Sequence, residues 1–377
     1  MRKILEGSRA IAETINNIGI DVVSAYPITP QTHIVEELAK IKADGEGNFE
    51  YVRAESEFAA ASIVQGAQAT GVRTYTATSS QGLLLMTEVV FCIAGMRLPV
   101  VMTDANRAIS APINIWNDQQ DVMVVRDSGW IMVFGETVQE VCDLHILAYK
   151  VGEQLELPVM VNLDGFVLTH VVEPVEIEDK EKIKKYLPAY TPGEYLDVKN
   201  PLTFGAFATP AHYMEIRQEL HDDLVASKKV IAHEMKEFKK VFGRELNLIE
   251  YYGDKDADTV IVAIGSVLGT IKEAVDELQN NKKKVGVLKI VSFRPFPDEE
   301  VAEILSKVKN IAVIDKALSL GQEGVIATEI KRALSGQKSN VISYILGLGG
   351  RDITKDMIKH VYEDAKKTKE KVVFVGK

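Results

Sequence analysis

From the start of the chain to about residue 165, apolar residues recur at two spacings in turn, every second position and every third or fourth. That alternation is the pattern of strands and helices in an α/β layer protein with a largely parallel sheet. Ile11, Ile15 and Ile18 line one helical face, Gly19 offers a stop, and residues 21–26 read as the first strand. Further strands are expected at 49–52, 73–77, 100–103, 130–134 and 159–163, with helices beginning near Thr32, Ser56, Gln81 and Thr137. From about Val171 five of the twelve prolines fall within forty residues, and the segment reads as an extended arm. Tyr213 to about Gly243 then reads as one long helix with Ile216, Leu220, Leu224, Ile231, Met235, Phe238 and Phe242 on a loose stripe, joining two domains or packing on a partner.

A second α/β unit begins near Asp258. Strands are expected at 259–264, 284–291, 310–314 and 340–346, and Leu268, Ile271, Val275 and Leu278 form a helical stripe; further helices follow Pro297, Gly324 and Thr354. Four strand–helix repeats fit a small open sheet. The division is therefore residues 1–250, arm and long helix included, and residues 251–377, and a length of 377 agrees with two domains.

Composition narrows the function. Lys+Arg 44 against Asp+Glu 54 leaves a net charge of −10, a field that repels phosphate backbones and argues against nucleic acid. Two cysteines, Cys92 and Cys142, are too few for a cluster held by four thiolates or for a disulfide framework. No stretch approaches the ~20 apolar residues of a membrane span, and the first residues lack the apolar core of a signal peptide, so a cytoplasmic protein is expected.

Candidate chemistry lies in the loops that leave the strands, the edge at which open α/β sheets bind ligands. In Tyr26-Pro27-Ile28-Thr29-Pro30-Gln31-Thr32 two prolines stiffen the backbone, so Thr29 can present a fixed hydroxyl; a plain rigid turn with Thr32 as helix cap fits equally. Glu55 and Glu57 stand at the start of a helix of mostly small side chains, where acids also simply complement the helix dipole. Thr78-Ser79-Ser80-Gln81-Gly82 could hold an anion at its free N–H groups, or Ser79 or Ser80 could serve as an N-cap. The long loop from Asp104 to Asp121 contains a single cation, Arg107, whose planar fork suits a carboxylate ligand or a structural pair with Asp104 or Asp118. The seven histidines show no zinc-binding spacing and read as solvated or structural, and Gly347-Leu-Gly349-Gly350-Arg351-Asp352 reads as a turn, with a phosphate contact as the alternative.

Taken together, Tyr26-Pro-Ile-Thr-Pro30, Glu55-Ser-Glu57, Thr78-Ser-Ser-Gln-Gly82, Asn106-Arg107-Ala and Ser110-Ala-Pro-Ile-Asn-Ile-Trp-Asn-Asp118 resemble the alpha subunit of the thiamine-diphosphate-dependent 2-oxoacid:ferredoxin oxidoreductases, the pyruvate enzymes most of all. The likeness extends through Arg294-Pro-Phe-Pro297 into the second unit. It implies a pyrimidine-binding domain of thiamine-enzyme type followed by a transketolase-C-terminal-like domain. It also implies the reversible conversion of a 2-oxoacid, CoA and two oxidised ferredoxins to acyl-CoA, CO2 and two reduced ferredoxins. In that family a beta subunit with a Gly-Asp-Gly motif holds the diphosphate and its Mg2+, and gamma and delta subunits are ferredoxin-like, so the [4Fe-4S] clusters lie in partner subunits; Gly-Asp-Gly is absent here.

Position by position, Glu57 matches the glutamate facing N1′ of the aminopyrimidine, where a shared proton favours the 4′-imino tautomer. Arg107 matches the arginine that pairs with the substrate carboxylate, Thr29 the threonine beside it, and Pro27 and Ile28 lie in the same cofactor-facing loop. A dicarboxylate would call for a second arginine in the Pro-Ile-Thr-Pro loop, which is absent, so pyruvate is expected first and a branched-chain 2-oxoacid such as 2-oxoisovalerate next. A non-redox thiamine half-enzyme and a non-catalytic scaffold are the competing readings.

Overall fold

The computed structural model describes residues 2–376. The first unit contains β1 (Arg2–Glu6), β2 (Val22–Ala25), β3 (Glu50–Arg53), β4 (Thr74–Thr78), β5 (Val101–Asn106), β6 (Ile131–Phe134), β7 (Val159–Asp164) and β8 (Val172–Glu176). The second contains β9 (Ile249–Gly253), β10 (Thr259–Ala263), β11 (Val285–Ile290), β12 (Ser292–Arg294), β13 (Asn310–Asp315), β14 (Asn340–Ile345) and β15 (Val372–Phe374). Every residue of β5 and β7 is buried, as expected for central parallel strands covered by helices on both faces.

A seven-stranded sheet runs in the order β12, β6, β7, β5, β4, β2, β3. All its pairings are parallel except that of β12 with β6. The order sets β5, β4, β2 and β3 side by side, so the loops leaving their C-terminal ends share one rim. The expected strands and the helices Thr32–Ala43, Glu57–Gln68, Gln81–Gly95 and Val138–Leu155 all form, with ends shifted by up to three residues.

Three expectations are corrected. The segment after Val171 is not simply an arm: β8 pairs antiparallel with β1, and the helix Lys180–Tyr186 follows, capped by Asp179. Pairing with a strand more than 160 residues away in the chain leaves no local periodicity to read. The long helix, Tyr213–Phe242, packs on its own domain, where Phe238 and Phe242 meet Tyr186 at 5.6 Å between ring centroids. Leu220, Ile231, Met235, Phe238 and Phe242 of its stripe are buried, whereas Ile216 is exposed. The second sheet has six strands rather than four, in the order β15, β14, β13, β10, β11, β9, with β9 antiparallel at one edge.

A change of sheet at residue 250 does not separate the units completely. β12, which follows β11 directly, crosses back to pair with β6 of the first sheet, and a single apolar core runs from Met86, Trp130 and Met132 to Val260, Leu288, Phe293 and Ile311. A buried ion cluster reinforces the seam, with Lys289 Nζ 2.7 Å from Glu140 and 3.1 Å from Glu136. Among the described residues no helix is long and apolar enough to cross a membrane.

Candidate active site

The rim is built from four loops. Ser56 caps the helix Glu57–Gln68 by accepting from Ala59 N–H, which leaves Glu57 in the first turn. Glu57 is 8% exposed and its carboxylate has no hydrogen-bond or ion-pair partner among the described residues, whereas Glu55 is exposed. Behind it Ala60 and Ala61 are fully buried and bring the helix close to its neighbours.

Opposite Glu57 lies the helix Gln81–Gly95. A methyl group added to Gly82 would stand 2.9 Å from Glu57 Oε1 and 2.5 Å from Thr78 Oγ1, closer than real contacts allow, so the glycine lets the Glu57 carboxylate and the Thr78 hydroxyl lie directly against this helix. Thr78 Oγ1 is buried there without a partner, and Gln81 Nε2 in the same strand-to-helix turn is buried and unpartnered too. Buried polar atoms are normally satisfied, so these orphans beside an unpaired carboxylate fit a polar ligand group. The expectation that Ser79 or Ser80 serves as an N-cap is corrected. Ser80 occupies the cap position with φ +51°, but its hydroxyl donates to Ala108 O at 2.5 Å, and Ser79 Oγ donates to Ala105 O.

The loop after β2 is tied down by Gln31, not by a cap at Thr32. Gln31 is fully buried; its Nε2 donates to Ala77 O at 2.7 Å and its Oε1 accepts from Ile28 N–H. Pro27 and Thr29 are exposed at the rim and Ile28 is half-buried. Arg107 crosses from the loop after β5: Nη1 donates to the Thr29 carbonyl at 2.8 Å and Nε to the Asn114 carbonyl at 3.0 Å. The alternative pairing with Asp104 or Asp118 is absent, and among the described residues the guanidinium forms no ion pair although it is only 7% exposed. Burial lowers its pKa, and the nearby Asp121 carboxyl offsets this only in part.

Asp121 fixes these loops to each other. One of its oxygens accepts from Ser80 N–H at 2.9 Å and from Arg107 N–H at 2.8 Å. Burial pushes the carboxyls of Asp121 and Asp104 upward, and their proximity raises Asp104 further, so the pair retains a proton. Asn106 bridges them through Nδ2. Gln31, Asp121 and Asn106 carry no distinguishing spacing in the sequence; Gly82 and Thr78 were visible only as parts of one hydroxyl-rich motif.

Outside the rim, Glu6, His33 and His170 gather with donor atoms within 4.8 Å of one another. His33 Nδ1 lies 2.7 Å from Glu6, and His170 Nδ1 lies 2.6 Å from Thr169 Oγ1, which already accounts for these groups. His145 is buried between Thr103 and the Val141 carbonyl, and burial lowers its pKa to about 4, in keeping with a structural histidine.

Two family models match the chain: "Pyruvate flavodoxin/ferredoxin oxidoreductase, thiamine diP-bdg" over residues 13–236 and "Pyruvate:ferredoxin oxidoreductase core domain II" over residues 257–358. The pyruvate synthase subunit PorA of Methanocaldococcus jannaschii is 49% identical, with 99% of this chain and 97% of that protein covered. The ketoisovalerate oxidoreductase subunit VorA of Pyrococcus horikoshii is 44% identical, over 98% of this chain and 95% of the relative. Among solved structures, a 2-oxoglutarate:ferredoxin oxidoreductase from Magnetococcus marinus with 2-oxoglutarate, coenzyme A and succinyl-CoA bound has the same fold, with a TM-score of 0.74 at 21% identity. The match covers 97% of this chain but 65% of that one. Twin family matches and full-length relatives place the chain in the pyruvate flavodoxin/ferredoxin oxidoreductase family.

Proposed function

We propose that the chain is the alpha-type subunit of a CoA-dependent 2-oxoacid:ferredoxin oxidoreductase, with pyruvate as the leading substrate. It binds the pyrimidine end of thiamine diphosphate and the carboxylate end of the oxoacid. The observation that carries this reading is the buried guanidinium of Arg107, pinned to the Thr29 loop and without an ion-pair partner among the described residues, on the same rim as Glu57, whose carboxylate likewise has none there. Full-length likeness to a pyruvate synthase subunit supports it.

Thiamine diphosphate, when bound, supplies the carbon nucleophile and the electron sink for loss of CO2. In this reading Glu57 would hold a proton at N1′ of the aminopyrimidine, and Gly82 leaves the carboxylate room to lie against the helix in that position. Thr78 Oγ1 and Gln81 Nε2 would offer the ring polar partners, and Pro27 and Ile28 of the neighbouring loop would contact the cofactor, beside a helix whose Ala60 and Ala61 are buried in the apolar core. Arg107 binds the oxoacid carboxylate and Thr29 offers its hydroxyl alongside. Since that carboxylate leaves as CO2, the arginine contributes binding and orientation rather than stabilisation of the later charge.

The division near residue 250 into a pyrimidine-binding and a transketolase-C-terminal-like domain belongs to the same reading. So do a beta subunit holding the diphosphate with Mg2+, gamma and delta subunits with [4Fe-4S] clusters, and ferredoxin as acceptor. The decisive experiment is turnover by the native complex with CoA and a low-potential acceptor across pyruvate, 2-oxoisovalerate, 2-oxoglutarate and an aryl 2-oxoacid. Pyruvate should have the highest kcat/KM. The relation to the ketoisovalerate subunit makes preference for 2-oxoisovalerate the second reading; turnover of none of the four would overturn both.

A further inference from the structure

The glycine turn after β14 has no role in the chemistry above, and it does not stand free. Gly349 O accepts from Asn114 Nδ2 at 3.1 Å, and Gly349 N–H donates to Asp118 Oδ2 at 3.0 Å. Gly347, Gly349 and Gly350 have φ of +74°, +61° and +79°, a region that favours glycine. A methyl group on Gly349 would stand 2.6 Å from Asn114 Nδ2, and one on Gly350 would stand 2.4 Å from Trp116 Cβ. The turn is therefore fitted to the loop that carries Arg107.

Asn114 is where the two meet. Its side-chain Nδ2 reaches the second unit at Gly349, its Oδ1 accepts from Trp116 N–H at 2.7 Å, and its main-chain carbonyl accepts from Arg107 Nε at 3.0 Å. Ala108 N–H donates to Trp116 O, which closes the loop on itself. The second unit grips the same loop lower down, through Gln119 N–H to Lys316 O and Leu318 N–H to Gln120 Oε1. A guanidinium whose other brace is the exposed Thr29 loop depends on this carbonyl for its direction.

We infer that Asn114 is a positioning residue through which the Gly347–Gly350 turn of the second unit aims Arg107 at the 2-oxoacid carboxylate. The inference rests on the role proposed for Arg107. An interaction made equally with bound substrate and with the activated complex changes KM more than kcat.

The test is steady-state kinetics of the assembled complex with pyruvate, CoA and a low-potential acceptor, for Asn114→Ala, Arg107→Ala and the double variant. Asn114→Ala removes two neutral side-chain hydrogen bonds, to Gly349 O and from Trp116 N–H, and should raise the Michaelis constant for pyruvate by roughly 5- to 100-fold with kcat nearly unchanged. In the double variant Asn114→Ala should add nothing to Arg107→Ala, because the residue acts only through the guanidinium. Hydrogen exchange should quicken at the amides of Ala108 and Trp116, a readout independent of turnover. If Asn114→Ala does not assemble, Gly349→Ala attacks the Gly349–Asn114 contact from the other side and should raise KM in the same direction. Multiplying losses in the double variant, or faster exchange with an unchanged KM, would overturn the inference while leaving the proposed function standing. An unchanged KM in Arg107→Ala alone would instead remove the proposed role on which it rests.

Discussion

Replacing Arg107 by alanine tests the site most sharply, and the structure allows the outcome to be worked out. Two of the five N–H donors of the guanidinium are committed to the carbonyls of Thr29 and Asn114, leaving three for a ligand. A carboxylate meeting that free side makes charge-assisted, bidentate hydrogen bonds, and truncating one partner of such a desolvated pair costs about 2–5 kcal/mol. The Michaelis constant for the oxoacid should rise roughly 30- to 5,000-fold. Stability should respond far less, since two opposing effects meet. Losing two hydrogen bonds from a charged donor costs about 3–6 kcal/mol. Removing a cation that is 7% exposed and without an ion-pair partner relieves a desolvation penalty of similar size. Arg107→Lys should recover only part of the affinity, because an ammonium cannot brace both carbonyls and still present a planar fork. The assay is steady-state kinetics of both variants in the assembled complex, with thiamine diphosphate affinity and thermal unfolding measured in parallel. A Michaelis constant that does not move, or one that moves only in step with lost cofactor binding, refutes the reasoning and leaves Arg107 as a brace between loops.

Glu57→Gln should keep the fold and lose about 10²–10⁴ in turnover, the range for a positioned acid–base group, while the exposed Glu55→Gln stays near wild type; equal small losses would return Glu57 to helix-dipole duty. Gly82→Ala places a methyl 2.5 Å from Thr78 Oγ1 and 2.9 Å from Glu57 Oε1, so both side chains must shift; calorimetry should show markedly weaker thiamine diphosphate binding together with a stability loss of about 1–3 kcal/mol, the usual cost of overpacking. Asp104 and Asp121 have carboxyl pKa values raised on folding, Asp121 to about 7. Their contribution to stability is therefore complete below the unfolded value near 4 and is lost as pH rises toward the folded value, about 7 for Asp121 and well above the usual range for Asp104, by about 1.4 kcal/mol per pH unit for each proton the unfolded state releases first. Asp104→Asn, which cannot ionise, should be more stable than wild type at pH 8 and no more stable at pH 5; parallel melting curves across that range would count against a shared proton. Lys289→Met leaves Glu140 buried without its partner and should cost about 3–5 kcal/mol at pH 7 in denaturant unfolding, a loss that shrinks as the carboxylates are protonated in acid.

Local pattern alone determined the alternation of strand and helix, the long helix from Tyr213, the strand–helix repeats from Thr259 onward, though not β9 before them, and the loops in which chemistry belongs. Those features follow from side-chain periodicity and turn residues within a dozen positions, so they are written in the chain one segment at a time. The motif likeness likewise singled out Glu57, Thr29 and Arg107 as residues of one rim. What tertiary structure decided is which distant segments meet. The strand order β5, β4, β2, β3 brings four loops to one edge, and the pairing of β1 with β8 and of β12 with β6 joins residues more than 150 positions apart. It also decided that Arg107 braces against two carbonyls rather than an aspartate, that Asp121 ties Ser80 to Arg107, and that Asn114 bonds to a glycine turn 235 residues later. No periodicity encodes such contacts, because a hydrogen bond or a buried charge acquires its partner only after the sheets have closed and excluded the water that satisfied it before.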